Sequence, residues 1–444
     1  MNAVLLAVVV MLVLSLLRVH VVMALIIGSL VGGISAGMSL EETLYIFSDG
    51  LGGGATIALN YAILGAFAVA ISRTSLPNSL VNLVIKLVGN QSDSRRKVLS
   101  KALIFLFILV MACFSQNLIP IHIAFIPILI PPIINILNEL EVDRRAIASI
   151  LTFGLIAPYM LLPYGFGNVF HRIVVENIGQ NGLDVSMSQV TPAMVIPVFG
   201  MVIGLFIAVL FSYRKSRSYE QKELQGVSTK VDKEKSGQQK VWSIIGASLA
   251  IFITLLVQTY SESMIMAGLA GIIVLYLTRA LKWNGSDQVL TDGMKMMAFI
   301  SFVMISAAGF SEVIRETGHV DLLVEQVLAV VGESQGTTAL LMLLVGLILT
   351  LGIGSAFSTV PILATIFVPI GMAVGFSPVA IIALIGTAGA LGDAGAPASD
   401  STLGPTAGLN ADGQHNHIWD TCVPTFLHYN IPLIIFGWIA AMIL

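Results

Sequence analysis

Long apolar runs separated by short polar breaks recur from residue 3 to residue 443. Runs of this length and frequency are those of helices that cross a lipid bilayer. Their positions predict helices near 3–17, 19–38 and 52–72, two closely spaced stretches at about 99–113 and 119–137, a broken helix over 146–170, and a helix at 192–212. Beyond a polar stretch the series resumes at 241–259, 264–281 and 295–314. It continues as a pair at 337–353 and 359–374, a broken helix over 379–403 and a last helix at 423–443. The predicted architecture is an all-α polytopic membrane protein of about ten transmembrane helices plus two re-entrant hairpins with broken helices.

Composition agrees. Of 444 residues, 56% are hydrophobic and 11% charged, against roughly 25% charged in soluble domains, and the mean hydropathy is +0.93. The net charge of −3 does not point to nucleic acid; membrane lipid is the expected surrounding, and a homodimer is open. Met1–Leu17 lacks a basic n-region and a small-residue cleavage site, which favours a retained first helix over a signal peptide. Cys113 and Cys422 lack a metal-type spacing and read as small core residues. No Gly-rich phosphate loop, Ser-His-Asp order or His-Glu-x-x-His motif is present. The chain is therefore not expected to be an enzyme or to need a cofactor.

The chain also repeats itself. Phe47–Gly89 aligns without a gap on Leu290–Gly332, placing Asp49-Gly50 on Asp292-Gly293, Phe67 on Phe310 and Thr74 on Thr317. The same shift sets Phe114-Ser115 on Phe357-Ser358, and a slightly smaller one sets Ala146 on Ala380 and Pro163 on Pro397. Arg73–Lys101 holds six basic residues and one acid, whereas Glu316–Leu344 holds four acids and no Lys or Arg. By the positive-inside bias the first lies in the cytoplasm and the second outside. The expected organisation is two inverted repeats, 1–212 and 241–444, a plan shared by many secondary transporters. Between them, 213–240 is expected to be a flexible cytoplasmic linker.

Four polar breaks fall in two related pairs. One pair is Phe114-Ser115-Gln116-Asn117 with Pro120, and Gly354-Ser355-Ala356-Phe357-Ser358-Thr359 with Pro361. The other is Pro163-Tyr164-Gly165-Phe166-Gly167-Asn168, and the string Gly392-Asp393 through Pro397, Ser399, Asp400, Ser401 and Thr402. An Asp at the bilayer centre costs about 2.5–3.5 kcal/mol on insertion scales, so it is usually paired, wet or functional. Broken backbone at that depth is tolerated only against protein or a watery cavity. Freed carbonyls, Asn and Ser/Thr hydroxyls suit Na⁺, while an Asp completes the charge or exchanges a proton. Any single break also reads as a proline kink with self-bonded hydroxyls; four in related places favour a site. The candidate substrate- or ion-binding residues are thus Asp393, Pro397, Ser399, Asp400, Ser401, Thr402, Ser355, Ser358, Thr359, Ser115, Asn117, Gly165 and Asn168. Na⁺ is expected at Asp393, Ser399, Asp400 and Thr402.

Asp412, His415, His417 and Asp420 have the composition of a metal cluster but fall in a stretch expected to be a solvated cytoplasmic loop. His122, His171, Arg172 and His428 are weaker candidates, and Glu312 with Arg315 reads as an interfacial ion pair.

Gly354-Ser-Ala-Phe-Ser-Thr359, Gly389-Ala-Leu-Gly-Asp393, Pro397, Ser399-Asp400-Ser-Thr402 and His417-Ile-Trp-Asp420-Thr together resemble the NhaC-type Na⁺/H⁺ antiporter family of the ion-transporter superfamily. The stretch Asn2–Gly33 resembles the N-terminal module of one bacterial branch. The resemblance implies paired hairpins, broken helices and gradient-driven transport in a bacterial cytoplasmic (inner) membrane, with Asp393, Ser399, Asp400 and Thr402 lining the site. One departure stands out. NhaC-type proteins tend to carry a Lys and other polar residues after the Gly-Asp, and this chain has Ala394-Gly395-Ala396. The superfamily also includes carboxylate and amino-acid transporters, so plain Na⁺/H⁺ exchange and cation-coupled uptake of a small polar solute both stand as expectations. A passive channel is the remaining alternative.

Overall fold

The computed structural model describes residues 2–17, 19–76, 79, 94–117, 122–164, 166–220, 222, 237–261, 263–283, 286–319, 322, 334–354 and 356–444; every regular element among them is helical. The chain opens with a short hairpin, α1 (Ala3–Leu16) against α2 (Val21–Ser35). Asn2 starts α1 by accepting from the Val4 and Leu5 amides, and it ties the N-terminus to His319 through its own amide group. α3 (Leu40–Ser72) begins at a Ser39/Glu42 capping box. α4 (Ser94–Asn117) and α5 (His122–Glu139) precede a bent pair, α6 (Arg144–Leu161) and α7 (Phe166–Gln180), which meet at 50°. α8 (Met187–Ser212) ends in a π-helical turn.

The second half follows with α9 (Gly237–Ser261), α10 (Met264–Leu277), α11 (Ser286–Glu316), α12 (Gln335–Ile353) and α13 (Ala356–Val374). A broken helix, α14 (Pro378–Ala390) and α15 (Asp400–Leu409), precedes α16 (His417–Ile443). Two π-helical turns interrupt α16, at His417–Cys422 and Phe426–Asn430.

Among the described residues, seven helices are long and apolar enough to cross a membrane, and the bent pair makes eight. The expected ten full crossings are not reached because α1, α2 and α10 have 14, 15 and 14 residues. At 1.5 Å per residue they are roughly 21–23 Å long, short of a hydrocarbon core of about 30 Å.

The largest helix contact joins α3 and α11, which run antiparallel. Gly50 lies against Ala308 and Gly309, Gly54 against Ile305, and Gly65 against Gly293; the Ser301 hydroxyl donates to the Ala58 carbonyl at 3.4 Å. Glycine is required here by close approach, since a Cβ on Gly293 would overlap the backbone of Ala66. Gly293→Val should therefore destabilise the protein by roughly 1–3 kcal/mol or more. Gly52→Val, where no atom comes within 4 Å, should leave the detergent-solubilised melting temperature nearly unchanged. Equal shifts in the two variants would contradict the close-packed seam. At one end of this helix pair Arg73 reaches Asp292 at 2.7 Å.

The start of the expected flexible linker is held in place. Arg217 pairs with Asp420 at 2.9 Å, Tyr219 lies over Arg144 with the guanidinium carbon 4.2 Å from its ring centre, and Glu220 exchanges two hydrogen bonds with Gln414. Aromatic and charged groups on 213–220 find partners on the ends of α6 and α16, so this part is docked onto the bundle.

Candidate functional site

The second broken helix starts with Ser377 as N-cap and Pro378 in the first turn. It then runs fully buried from Ala380 to Ala390. Leu391 turns extended, and Gly392 and Gly395 take φ of +90° and +91°, a conformation that disfavours any side chain. Helix resumes at Asp400 with Ser399 as N-cap, its hydroxyl accepting from the Ser401 amide.

The break is fastened on several sides. Asn430, in the second π-turn of α16, accepts from the Gly392 amide at 3.1 Å and donates to the Ala394 carbonyl at 2.6 Å. The Thr402 hydroxyl has the carbonyls of Ala396 and Ser399 at 2.6 and 2.9 Å. His417 donates to the Pro397 carbonyl at 2.8 Å. Asn430→Ala would leave two buried backbone groups without partners. Each such group costs about 1–3 kcal/mol, so the variant should melt earlier than Asn430→Asp, which keeps the acceptor for Gly392. Equal melting of the two would contradict the pin.

Asp393 lies where three breaks meet. Tyr159, in the last turn of α6, donates to its carboxylate at 2.6 Å. The amide of Ala356, the first residue of α13 and just beyond the Gly354 break, also donates to it. Asp400, in the first turn of α15, stands close enough for the two carboxylates to repel each other. Asp393 is 7% exposed and Tyr159 1%. Tyr159 is fixed by edge contacts with Phe166 and Phe170, with ring centres 6.0 and 4.9 Å away. Among the described residues no Lys or Arg pairs with Asp393. A buried carboxylate held by neutral donors, with a second carboxylate nearby, suits the reversible uptake of a proton or a small cation.

The first break is more self-contained. Of its freed carbonyls, Met160 accepts from His171, Leu161 from Thr191, and Pro163 weakly from Asn168 at 3.4 Å. The two broken helices are stitched together by the Thr152 hydroxyl donating to the Ser401 carbonyl at 2.9 Å.

The candidates fall out as follows. Asp393, Pro397, Ser399, Asp400, Ser401 and Thr402 occupy one break, with Ser399 and Thr402 engaged in its local hydrogen bonds. Thr359 is buried in the first turn of α13. Ser115 lies inside α4, not at a break, and its hydroxyl donates to its own helix at Ala112. Phe114-Ser115 thus precedes its break whereas Phe357-Ser358 follows the break at Gly354, so that pairing is not a structural one. Asn168 is half-buried beside Arg172. Ser355 and Gly165 lie outside the described residues, as do the side chains of Ser358, Asn117 and His122.

Asp412, His415, His417 and Asp420 form neither a metal cluster among the described residues nor a solvated loop. Asp412, His415 and His417 are buried, and Asp412 forms a two-pronged ion pair with the fully buried Arg144 at 2.5 and 2.6 Å. Burial opposes the charge on Asp412, and Arg144 outweighs it, holding the carboxyl below its ordinary value. Arg144 also donates to the carbonyl of Leu409, the last residue of α15, and to Asn138. His171 and His428 are bonded to the Met160 and Pro424 carbonyls, and Glu312 pairs with Arg315 at 3.5 Å on the surface. Sequence reading missed Tyr159, Asn430 and Arg144. A lone Asn within the last apolar run was the only signal for Asn430.

Membrane-crossing helices with broken segments converging on a buried carboxylate define a polytopic membrane protein with an intramembrane polar site. Residues 150–438 match the profile of the Na⁺/H⁺ antiporter family, and residues 2–88 a second profile described as Na⁺-H⁺ antiporter family. The chain is 56% identical over 451 residues to "Putative amino acid transporter YuiF" of Bacillus subtilis, with all of both chains covered. It is 53% identical over 447 residues to an uncharacterized membrane protein of Vibrio parahaemolyticus, again covering all of both. With an uncharacterized membrane protein of Haemophilus influenzae the identity is 47% over 448 residues, covering 100% of this chain and 99% of the other. The protein belongs to the Na⁺/H⁺ antiporter family; it is a multi-pass membrane transporter with bacterial relatives. Among solved structures, the YdaH transporter of Alcanivorax borkumensis aligns at TM-score 0.43 and 15% identity, covering 90% of this chain and 87% of its own. MtrF of Neisseria gonorrhoeae aligns at 0.42 and 17%, covering 91% and 85%.

Proposed function

We propose that this chain is a secondary active transporter of the bacterial cytoplasmic membrane, driven by a Na⁺ or H⁺ gradient through alternating access, with Asp393 taking up the coupling cation. The convergence of Tyr159, the Ala356 amide and Asp400 on Asp393 carries this reading, because it sets one ionisable group where both broken helices and the α12–α13 break can sense its charge.

Two inverted repeats, 1–212 and 241–444 joined by 213–240, form the second part of the proposal. The contacts of α3 with α11 support it: under the 243-residue shift of the sequence alignment, Gly50 against Ala308 and Gly309 becomes Gly293 against Gly65 and Ala66, and both contacts occur. A 234-residue shift likewise turns the Ala112–Gly154 contact into Gly346–Ala388, which also occurs. A pseudo-two-fold exchange of this kind accounts for both.

For the cargo, the name of the Bacillus subtilis relative favours an amino acid over Na⁺ alone, at an identity that extends over the whole chain. Uptake in proteoliposomes, with Na⁺ and pH gradients imposed separately and a panel of amino acids as solutes, tests both parts. Gradient-driven accumulation of one amino acid supports coupled uptake, and solute-independent Na⁺/H⁺ exchange replaces it by plain antiport. Flux that neither saturates nor responds to a gradient would overturn the transporter reading.

A further inference from the structure

A continuous line of hydrogen bonds runs from the turn between α15 and α16 into the second helix break. His415 Nε2 is 2.6 Å from the Thr421 hydroxyl, which is 3.0 Å from the Thr406 hydroxyl. Thr406 is 2.8 Å from His417 Nδ1, and His417 Nε2 is 2.8 Å from the Pro397 carbonyl. All four side chains are buried, whereas Gly413 and Asn416 of the same turn are exposed.

The Pro397 carbonyl can only accept, so it fixes the direction of the line. His417 must carry its proton on Nε2, which leaves Nδ1 as acceptor for the Thr406 hydroxyl. Each hydroxyl has one proton to give, so Thr421 donates to Thr406 and His415 Nε2–H donates to Thr421. The Thr402 carbonyl, 2.9 Å from Thr406 Oγ1, competes for the same hydroxyl proton. The far end, Pro397, is four residues from Asp393 and three from Asp400.

We propose that His415, Thr421, Thr406 and His417 form the proton path between the cytoplasm and the Asp393–Asp400 break, a role that rests on the cation of the proposed function being H⁺. A proton entering at His415 Nδ1 releases the Nε2 proton to Thr421, which passes its own to Thr406. Thr406 passes its own to His417 Nδ1, and His417 Nε2 releases one to a carboxylate of the break. Net transfer is one proton, and reorientation of the rings and hydroxyls restores the line. Burial pushes His415 down to about 3, with Asp420, Arg144, His417 and Arg217 the charged and titratable groups acting on it, so the ring rests neutral and can both accept and donate.

The test uses full-length protein in proteoliposomes, with internal pH read by a trapped dye and solute counterflow measured at equal pH on both sides. Thr406→Ala, Thr421→Val and His417→Gln each cut the line, and Thr406→Ser and Thr421→Ser preserve it. Expected are at least a tenfold loss of coupled proton movement in the cut variants, wild-type counterflow in all five, and recovery in both serine variants. Proton movement unchanged in the cut variants would overturn the path. Loss of counterflow together with proton movement, or failure of serine to rescue, would show a structural role and overturn it too. A wild-type protein that moves solute or Na⁺ without protons would instead refute H⁺ as the coupling cation, and that outcome shows in the wild-type trace alone.

Discussion

Asp393→Asn is expected to reduce coupled transport to the background of empty vesicles while leaving insertion and yield unchanged. The carboxamide has nearly the same shape and can still accept from Tyr159 and the Ala356 amide through its oxygen. It cannot change charge, and its amino group faces positions that in the wild type offer donors. The substitution therefore separates ionisation from packing better than a truncation to Ala would. Tyr159→Phe should be milder, since it removes one hydrogen bond to a charged group, worth about 1.5–3 kcal/mol. That corresponds to roughly 10–100-fold in the affinity of the site for its cation. Transport by purified Asp393→Asn at the wild-type rate would remove this residue from the ion site.

The second large effect is expected far from that carboxylate. Removing one partner of a buried ion pair costs about 3–5 kcal/mol, because the other charge stays buried and uncompensated. Asp412→Asn and Arg144→Met should each lower thermal stability by an amount of that order, and the double substitution should cost less than the sum of the two. The pair joins the start of α6 to the end of α15, and so fastens the two broken helices at one end of the bundle. Its pH dependence has a definite sign. The folded carboxyl of Asp412 titrates below its unfolded counterpart, so its stabilisation is complete above the unfolded value near 3.9 and is lost as pH falls through the folded one. The melting difference between wild type and Asp412→Asn should therefore be flat across neutral pH and shrink only in strong acid. Melting temperatures of the three variants in detergent check this. Additive losses, or a difference that shrinks near pH 7, would contradict it.

Much of the fold was legible because apolar runs report membrane helices directly, and helix boundaries fell within a few residues of the expected ones at α1, α12 and α13. The breaks at Pro163 and Pro397 were legible because glycine, proline and hydroxyl residues have no ordinary place in a lipid-facing helix. What could not be read was which polar group serves which. Tyr159 looked like one more aromatic in an apolar stretch, and only its position at the end of α6 brings its hydroxyl to Asp393. Asn430 serves the break only because two π-turns rotate α16 to face it. The expectation of a solvated loop at 410–420 failed for a related reason. Its acids and histidines are matched by Arg144 and Arg217, which lie more than 190 residues away in the chain. Long-range pairing of this kind leaves no local pattern.

The central claim is that a cation gradient, handled at Asp393, drives solute across the membrane. The most direct measurement is the internal solute concentration reached in sealed proteoliposomes after a Na⁺ or pH jump, with wild-type and Asp393→Asn protein side by side. Transient accumulation above the external concentration in the wild type alone, abolished when the gradient is collapsed by an ionophore, is the predicted result. Equilibration without accumulation in the wild type, or equal accumulation in both proteins, would contradict the claim.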